Sequence, residues 1–424
     1  MGQWAGQKST TCRKGNVFRG QRKGLDFPHF SARRPRMGLA IDGRVQTGDA
    51  GPMSTLSPPR RTPWLLIAAL YLTGLIAGMQ FTKISLTLTG LAGVYPGWPV
   101  AFAVSGVAVI GIIFGVMAGG ITASVGPRRA ILWALGASAI VGGLEALLPP
   151  FPVFMALRVV EGAGHLVLVV AVPTLMARLA APKDSAMVMG LWATFFGVGF
   201  ATAALLMGDN LRAAYGGHAA FAAVMLAVLW AMLPRGVAVA RRPLPRLSDH
   251  LMIYSTPRLF APGLGHGIYA MLFLALITFL PVALDALWLA PILPLAGIAG
   301  SFLAGVLARW IAPGTLVWTT FVAMAVLFAV TMVAGTAAPY ILIFTMGFSG
   351  IVAGAGFAAV PWLNPADEDR ALSNGALAQL GNIGTFTGTP VLAALGPGAY
   401  FPTAILVCIV AAAVTGLAYR AARS

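Results

Sequence analysis

The feature that most constrains this chain is a series of apolar segments, which begins at Trp64 and continues almost without a break to the end. Each segment has the roughly 20 residues that an α-helix needs to cross the hydrocarbon core of a bilayer. The segments lack the alternating pattern of a membrane β-barrel, so helices are predicted. Twelve segments are predicted, over residues 64–90, 98–122, 129–149, 152–177, 185–207, 218–235, 258–284, 288–310, 314–336, 339–362, 371–394 and 398–420.

The composition of the 424 residues agrees with a membrane protein. Only 9% of them are charged, whereas about 25% is usual in soluble proteins. The sequence has no phosphate-binding glycine loop that ends in Lys-Ser or Lys-Thr. Its histidines and cysteines form no cluster with metal-ligand spacing, and its two cysteines, Cys12 and Cys408, suggest no disulfide framework. We therefore predict that the chain is not an enzyme and binds no ATP, metal or other cofactor.

More than half of the net charge of +16 lies in residues 1–62, which contribute +9. Gly, Ser, Thr and Pro occur throughout this segment without periodicity, which predicts a disordered basic extension. One alternative is a basic arm that binds anionic lipid or nucleic acid, and another is that translation starts at Met53. Because the charge is not spread over a folded surface, no nucleic-acid partner is predicted. The apolar segment that follows is too long for a cleavable signal peptide.

Basic residues between the apolar segments predict how the chain is oriented in the bilayer. Outside the extension, 13 basic residues lie in loops and ends on one side, and only Arg212 lies on the other. Basic loops are typical of the cytoplasmic side. Both termini are therefore predicted to be cytoplasmic, in a multi-pass protein of the bacterial inner membrane. A monomer is expected.

The segments divide into two similar halves of six. The predicted halves are residues 63–236 and 258–424, separated by a polar cytoplasmic linker at 237–257. Small residues and prolines recur at nearly constant offsets of 185 to 188 residues. The matched sets are Gly111, Ala118, Gly119 and Pro127 with Gly297, Ala304, Gly305 and Pro313, Gly162 and Pro173 with Gly350 and Pro361, and Gly190 and Gly199 with Gly375 and Gly384. Such a pattern indicates a parallel repeat of two six-helix bundles.

Two motifs in the first half resemble those of the major facilitator superfamily of membrane transporters. That family carries G-x-x-x-D-R-x-G-R-R after its second helix, and this chain has Gly119, Gly126 and Arg128 in register. Ala123 and Ser124 stand where the family has Asp and Arg, so a charge network that latches the cytoplasmic side of the family must differ here. The family's R-x-x-x-G-x-G motif appears in the fourth segment as Arg158, Gly162 and Gly164.

The resemblance implies a secondary transporter with twelve transmembrane helices and a small-molecule substrate. Within the superfamily, the pattern is most similar to the bacterial branch that includes cyanate and nitroimidazole transporters. The motif residues are predicted to pack helices together or to take part in conformational change, and not to bind substrate or carry protons. They are Gly115, Gly119, Gly126, Arg128, Arg129, Gly162 and Gly305.

Ionisable residues inside membrane segments are costly and are therefore functional candidates. Arg158, Glu161 and His165 share one face of a helix, and Glu161 can pair with Arg158 and approach His165. One interpretation is a proton-coupling site at Glu161 and His165, and the other is an Arg–Glu pair that only neutralises two buried charges. Lys83, with Gln80 three residues before it, lies in the outer half of the first segment. It points either to the outer interface or into a central cavity.

Four further residues are candidate cavity contacts. His266 and Tyr269 share a face of the seventh segment, and Gln379 and Asn382 lie in the glycine-rich eleventh segment, although packing is the simpler interpretation for each. Glu145 lies near a predicted helix end and is expected to be solvated.

These residues predict an alternating-access transporter for a small organic or inorganic anion, coupled to protons. Lys83 and Arg158 would bind the anion and Glu161 would carry the proton. Export of lipophilic compounds through a mostly apolar cavity is an alternative, because polar groups are scarce. A membrane sensor or assembly partner that transports nothing is a further alternative of a different class.

Overall fold

The computed structural model describes residues 61–234 and 247–423. Over these ranges the chain is α-helical and contains no β-strand, as predicted. The predicted extension at 1–62, including the alternative start at Met53, lies outside the described residues except for Arg61 and Thr62. Thr62 is buried, and its hydroxyl donates a 2.6 Å hydrogen bond to Asp184.

The first half contains ten α-helices among the described residues. They are α1 (Trp64–Leu86), α2 (Leu88–Val94), α3 (Ala101–Ser105), α4 (Ala108–Phe114), α5 (Ala118–Val125), α6 (Pro127–Glu145), α7 (Phe151–Leu179), α8 (Ser185–Ala193), α9 (Phe195–Leu206) and α10 (Leu211–Met232). The described part of the second half adds seven. They are α11 (Leu247–Ser255), α12 (Pro257–Ala283), α13 (Leu289–Leu307), α14 (Pro313–Val333), α15 (Ala338–Leu363), α16 (Asp367–Leu395) and α17 (Tyr400–Ala421).

Each of the twelve predicted segments corresponds to one helix or to consecutive short helices. Eight helices in the described chain are long and apolar enough to span a bilayer, and α8 with α9 makes a ninth if that pair, bent by 46°, is one span. The second segment is divided among α3, α4 and α5. Arginines at the start of α6 and polar residues along α16 lower the hydropathy of the third and eleventh segments. The count of twelve spans is consistent with the helices and stays a prediction.

The helices pack as two bundles. In the first bundle, α1 contacts α7, α9 and α10, and α6 contacts α7 and α10. In the second bundle, α12 contacts α15, α16 and α17, and α14 contacts α15 and α17. The bundles meet where α3 and α4 contact α16 and where α9 contacts α13. We call this contact zone the seam.

The repeated sequence positions have matching structural roles. A Cβ on Gly162 would overlap the carbonyl oxygen of Val107, and a Cβ on Gly350 would overlap that of Gly297. Glycine at both positions therefore allows the fourth predicted segment of each half to touch the backbone of the second. Gly305 does not fit this pattern, because a Cβ there would meet no heavy atom within 4 Å. The prediction that Gly305 mediates close packing is therefore wrong.

The turn between α5 and α6 explains the motif residues Gly126 and Arg128. Gly126 has φ +90°, a left-handed conformation that favours glycine, and Pro127 follows as the first residue of α6. Arg128 donates hydrogen bonds to the carbonyl oxygens of Trp230 and Leu233 at the end of α10. Basic side chains at a helix C-terminus satisfy carbonyls that lack helical partners. Arg128 thus joins α6 to α10, whereas Arg129 is exposed.

The predicted polar linker contains a helix, α11, which begins after the undescribed residues 235–246. Ile253 of this helix is fully buried against Val116, Leu259 and Ala376. Since Val116 belongs to the first half and Ala376 to the second, α11 covers the seam at its predicted cytoplasmic end. The linker therefore packs against both bundles as well as connecting them.

Candidate functional site

Four charged side chains meet inside the first bundle. Lys83 of α1 places its ammonium 2.5 Å from Glu145 Oε2 and 2.8 Å from Glu161 Oε1. Arg158 of α7 pairs closely with Glu161 on the same helix and reaches Glu145 Oε1 at 3.5 Å. All four side chains have 0% exposure. We call these residues, two cations and two anions with no net charge, the charge cluster.

The charge cluster persists inside an apolar bundle because its charges are paired. Removing a charge from water costs several kcal/mol, and close pairing with further hydrogen bonds is needed to offset that cost. Arg158 meets this requirement, since it also donates to the carbonyl oxygens of Ala103 at 2.8 Å and Gln80 at 2.7 Å. Each carboxylate oxygen of the cluster has a cationic partner. The predicted pairing of Arg158 with Glu161 is confirmed.

Gln80 and His165 extend the site on the side nearer the predicted cytoplasmic end. The Gln80 side-chain nitrogen donates to Ser138 Oγ at 2.9 Å, and its oxygen lies 3.0 Å from His165 Nδ1. The His165 ring stands edge-on to Phe81, with the ring centroids 5.0 Å apart. His165 thus contacts Gln80, and the structure shows no hydrogen bond between His165 and Glu161 among the described residues.

Lys83 and Arg158 do not line an open cavity in this structure. The sequence left two directions open for Lys83, towards the outer interface or into a central cavity, and the structure shows neither. Helices α1, α6 and α7 enclose its ammonium together with Arg158. Such packing depends on the rotation of each helix about its axis, which residue types alone do not determine. Any anion that binds these two residues must do so in another conformation of the protein.

Glu145 is a member of the site that the sequence analysis missed, and the expectation that it is solvated is wrong. It is the last residue of α6 and is fully buried, because α7 and α10 pack against α6 and Lys83 of α1 contacts its carboxylate. The predicted segment extended to residue 149, so Glu145 looked close to water. A carboxylate in an otherwise apolar helix was the signal that could have identified it.

His218 and Tyr215 of α10 were also missed, because the sixth segment was predicted to begin at residue 218. His218 Nε2 lies 3.2 Å from the Ile76 carbonyl oxygen. Its Nδ1 has no hydrogen-bond partner among the described residues and lies 3.9 Å from Glu161 Oε1. The Tyr215 hydroxyl is 2.9 Å from Thr87 Oγ1. Helix α10 therefore closes the charge cluster on the side away from the seam.

Aromatic rings line the middle of the seam. Phe81 and Phe196 of the first half contact each other, and Phe196 contacts Phe273 of the second half at a centroid distance of 6.4 Å. Tyr269 lies beside Phe273, and His266 lies 5.7 Å from Tyr269. His266 and Tyr269 therefore share a helix face, as predicted, and that face belongs to a largely apolar surface.

Gln379 forms a link between the halves and the linker helix. Its nitrogen donates to the Ile112 carbonyl oxygen at 2.5 Å, and its oxygen accepts a 2.6 Å hydrogen bond from the Tyr254 hydroxyl. Asn382, one turn further along α16, donates to the carbonyl oxygen of Ala378 and packs against Gly111. Gly115 similarly leaves space for the backbone of Gln379. In this structure the side-chain amides of Gln379 and Asn382 both contact the first half and stabilise the seam.

A cavity of about 620 Å³ lies between the halves at the predicted outer end. The hydroxyls of Ser85 and Thr278, 2.7 Å apart, join the two halves at its wall. Its lining in the described structure includes Trp98, Phe102 and Tyr400 and no charged side chain. The described residues contain no group of three or more His, Cys, Asp or Glu residues that could hold a metal ion.

The sequence was compared with known families, and the model of the major facilitator superfamily matches residues 64–389. The chain belongs to the major facilitator superfamily. A comparison with curated proteins found no match. As in that family, the chain is a multi-pass membrane transporter and not an enzyme.

Solved structures of transporters share the fold. A bacterial homologue of the human lysosomal transporter Spinster, inward-facing and occupied, has 16% identity and a TM-score of 0.65, covering 84% of this chain and 97% of its own. The inward-open xylose transporter XylE from E. coli has 15% identity and a TM-score of 0.66, covering 83% and 95%. The human organic anion transporter MFSD10 has 18% identity and a TM-score of 0.61, covering 84% and 98%.

Proposed function

We propose that this protein is a proton-coupled secondary transporter of a small organic or inorganic anion, acting by alternating access. The charge cluster is the observation that supports this proposal. A chain with few charged residues has placed two cations and two carboxylates in one sealed site. A purely structural core needs none of them, because apolar residues of similar volume often stabilise a fold as well or better.

The neutrality of the charge cluster provides a physical basis for coupling anion transport to protons. When a proton neutralises one carboxylate, the cluster acquires a charge of +1 in a medium where an uncompensated charge is costly. A substrate anion near Lys83 or Arg158 would lower that cost, so protonation and anion binding would favour each other. This mechanism requires a conformation in which the cluster faces the transport path, as a rocking of the bundles could provide.

Contacts that cross the seam support alternating access. Ser85 and Thr278 join the halves at the predicted outer end. Gln379, Ile112 and Tyr254 join them in the cytoplasmic half. These two sets would break in turn as the site opens to one side and then to the other. We also propose that the protein is a monomer, that it lies in the bacterial inner membrane, and that within the superfamily it belongs to the branch of the cyanate and nitroimidazole transporters.

Uptake into proteoliposomes tests this proposal. A panel of labelled small anions would be offered to the purified protein with and without a pH gradient, and we expect at least one anion to accumulate only with the gradient. Lys83→Ala should abolish this uptake, Lys83→Arg should retain part of it because the charge remains, and Lys183→Ala at an exposed site should have no effect. Unchanged uptake by Lys83→Ala would contradict the role of the charge cluster.

A second candidate function is the export of lipophilic compounds. The aromatic seam and the outer cavity without charged side chains favour it. Inside-out vesicles offered lipophilic cations or neutral dyes in the outside medium would distinguish the two functions, because export then appears as accumulation in the lumen. Transport of a neutral dye that Lys83→Ala leaves intact would support export and exclude anion transport as the role of the site.

A further inference from the structure

We infer that Glu145, rather than Glu161, is the carboxylate of the charge cluster that takes up the proton. This inference rests on the proposed function and identifies the residue that would perform the coupling. It follows from an asymmetry between the two carboxylates in their ion pairs and in their positions along their helices.

The ion pairs show which carboxylate can be neutralised with less disruption. Glu161 has a close contact to Arg158 and another, at 2.8 Å, to Lys83. Glu145 has one close contact, at 2.5 Å to Lys83, and a marginal one at 3.5 Å to Arg158. If Glu145 is protonated, both cations keep Glu161 as a close partner. If Glu161 is protonated, the only carboxylate left to Arg158 is Glu145 at 3.5 Å, and breaking a buried pair is strongly destabilising.

The position of each carboxylate along its helix adds to this asymmetry. Glu145 is the last residue of α6, where the helix dipole carries partial negative charge and disfavours a carboxylate. Glu161 lies ten residues after Phe151, the first residue of α7, and the dipole has little effect at that point. Both carboxylates share the Lys83 ammonium, so their mutual repulsion also favours neutralising one of them. The helix dipole and the weaker ion pairing both favour protonation of Glu145 over protonation of Glu161.

The surroundings of Glu145 suggest where the proton enters. The charged and titratable groups that face it are Lys83 from α1, Arg158 and Glu161 from α7, and Tyr215 and His218 from α10. Beyond Glu145 the chain turns through residues 146–150 at the predicted outer end, which makes Glu145 the carboxylate of the cluster nearest to a helix end. Glu145 is therefore the carboxylate of the cluster that lies nearer the predicted outer end.

Infrared titration of the purified protein tests this inference without a known substrate. The carbonyl stretch of a protonated carboxyl group in an apolar site would be followed as the pH is lowered. We expect a band in the wild-type protein and in Asp209→Asn, a control at an exposed acid, that is lost in Glu145→Gln. The band should be retained when Glu161→Gln is combined with Lys83→Gln, because Arg158 and Glu145 then form a neutral cluster and protonation of Glu145 brings it to +1, as in the wild-type protein. If Glu145→Gln does not fold, the double variant Lys83→Gln with Glu145→Gln, which leaves the Arg158–Glu161 pair intact, should also lack the band.

Other results would overturn the inference. A band that persists in Lys83→Gln with Glu145→Gln and disappears in Lys83→Gln with Glu161→Gln would assign the proton to Glu161. A wild-type protein with no such band at any pH at which it stays folded would show that both carboxylates remain ionised. Failure of gradient-driven uptake in the wild-type protein would instead reject the proposed function, so the two experiments separate the two failures.

Discussion

Replacing Lys83 with methionine should strongly destabilise the protein. The side chain keeps a similar length, but two fully buried carboxylates lose their shared ammonium. Arg158 alone would then face Glu145 and Glu161, and the cluster would carry a net charge of −1. Removing one partner of a buried ion pair typically costs about 3–5 kcal/mol. We expect a loss of that size in the free energy of unfolding.

A second substitution should reverse most of this loss. Lys83→Met combined with Glu145→Gln restores a neutral site in which Arg158 and Glu161 remain paired. We expect the double variant to be more stable than Lys83→Met alone by about 2 kcal/mol or more, since replacing buried ion pairs with neutral groups is often close to neutral for stability. Lys183→Met, at an exposed lysine, should change stability by less than about 0.5 kcal/mol.

Denaturant titration of the wild-type protein, Lys83→Met, Glu145→Gln, the double variant and Lys183→Met in detergent micelles, followed by tryptophan fluorescence, would measure these differences. Because Lys83 and Glu145 are in direct contact, the effects of the two single substitutions should not add up to that of the double variant. If Lys83→Met were as stable as Lys183→Met, or if Glu145→Gln made Lys83→Met less stable, the charges would not be paired as the structure shows.

Two further predictions concern the packing of the bundles. Gly162→Ala would force a methyl group against the carbonyl oxygen of Val107 and should cost about 1–3 kcal/mol in the same assay, whereas Gly143→Ala, with no heavy atom within 4 Å, should not destabilise the protein. Tyr254→Phe removes the hydrogen bond to Gln379, worth about 0.5–1.5 kcal/mol, and should raise hydrogen–deuterium exchange in α11 by roughly 2- to 10-fold. Equal stabilities of the two glycine variants, or unchanged exchange in α11, would contradict these contacts.

The linker helix packs across the predicted cytoplasmic end of the seam, and the acid that the family motif usually supplies on that side is missing. Ala123 occupies the position of that acid in the sequence. In this structure Ile253 and Tyr254 of α11 contact residues of both halves next to the seam. An apolar contact and a hydrogen bond of this kind are insensitive to ionic strength, in contrast to a charge network on the surface.

Much of the fold could be predicted because it depends on local properties of the chain. Apolar segments of about 20 residues in a bilayer must form helices, since every backbone polar group has to be satisfied within the segment. The repeat was visible because Gly162 and Gly350 are needed at equivalent close approaches, and Pro127 and Pro313 each begin a helix. The pair of Arg158 and Glu161 was predictable for a similar reason, because residues three apart on a helix are neighbours.

The rest of the site depended on tertiary structure. Lys83 lies 62 residues from Glu145 and 78 from Glu161, and no local pattern connects them. Their contact depends on how α1, α6 and α7 are rotated and on where α6 ends, and a difference of a few residues separates a solvated carboxylate from a buried one. The sequence by itself determined that this protein is a bundle of membrane helices in two repeated halves, through hydrophobicity and backbone hydrogen bonding. Only the packing of those helices decided that its charges form one neutral, sealed cluster, because a buried charge is stable only where other helices place its partners.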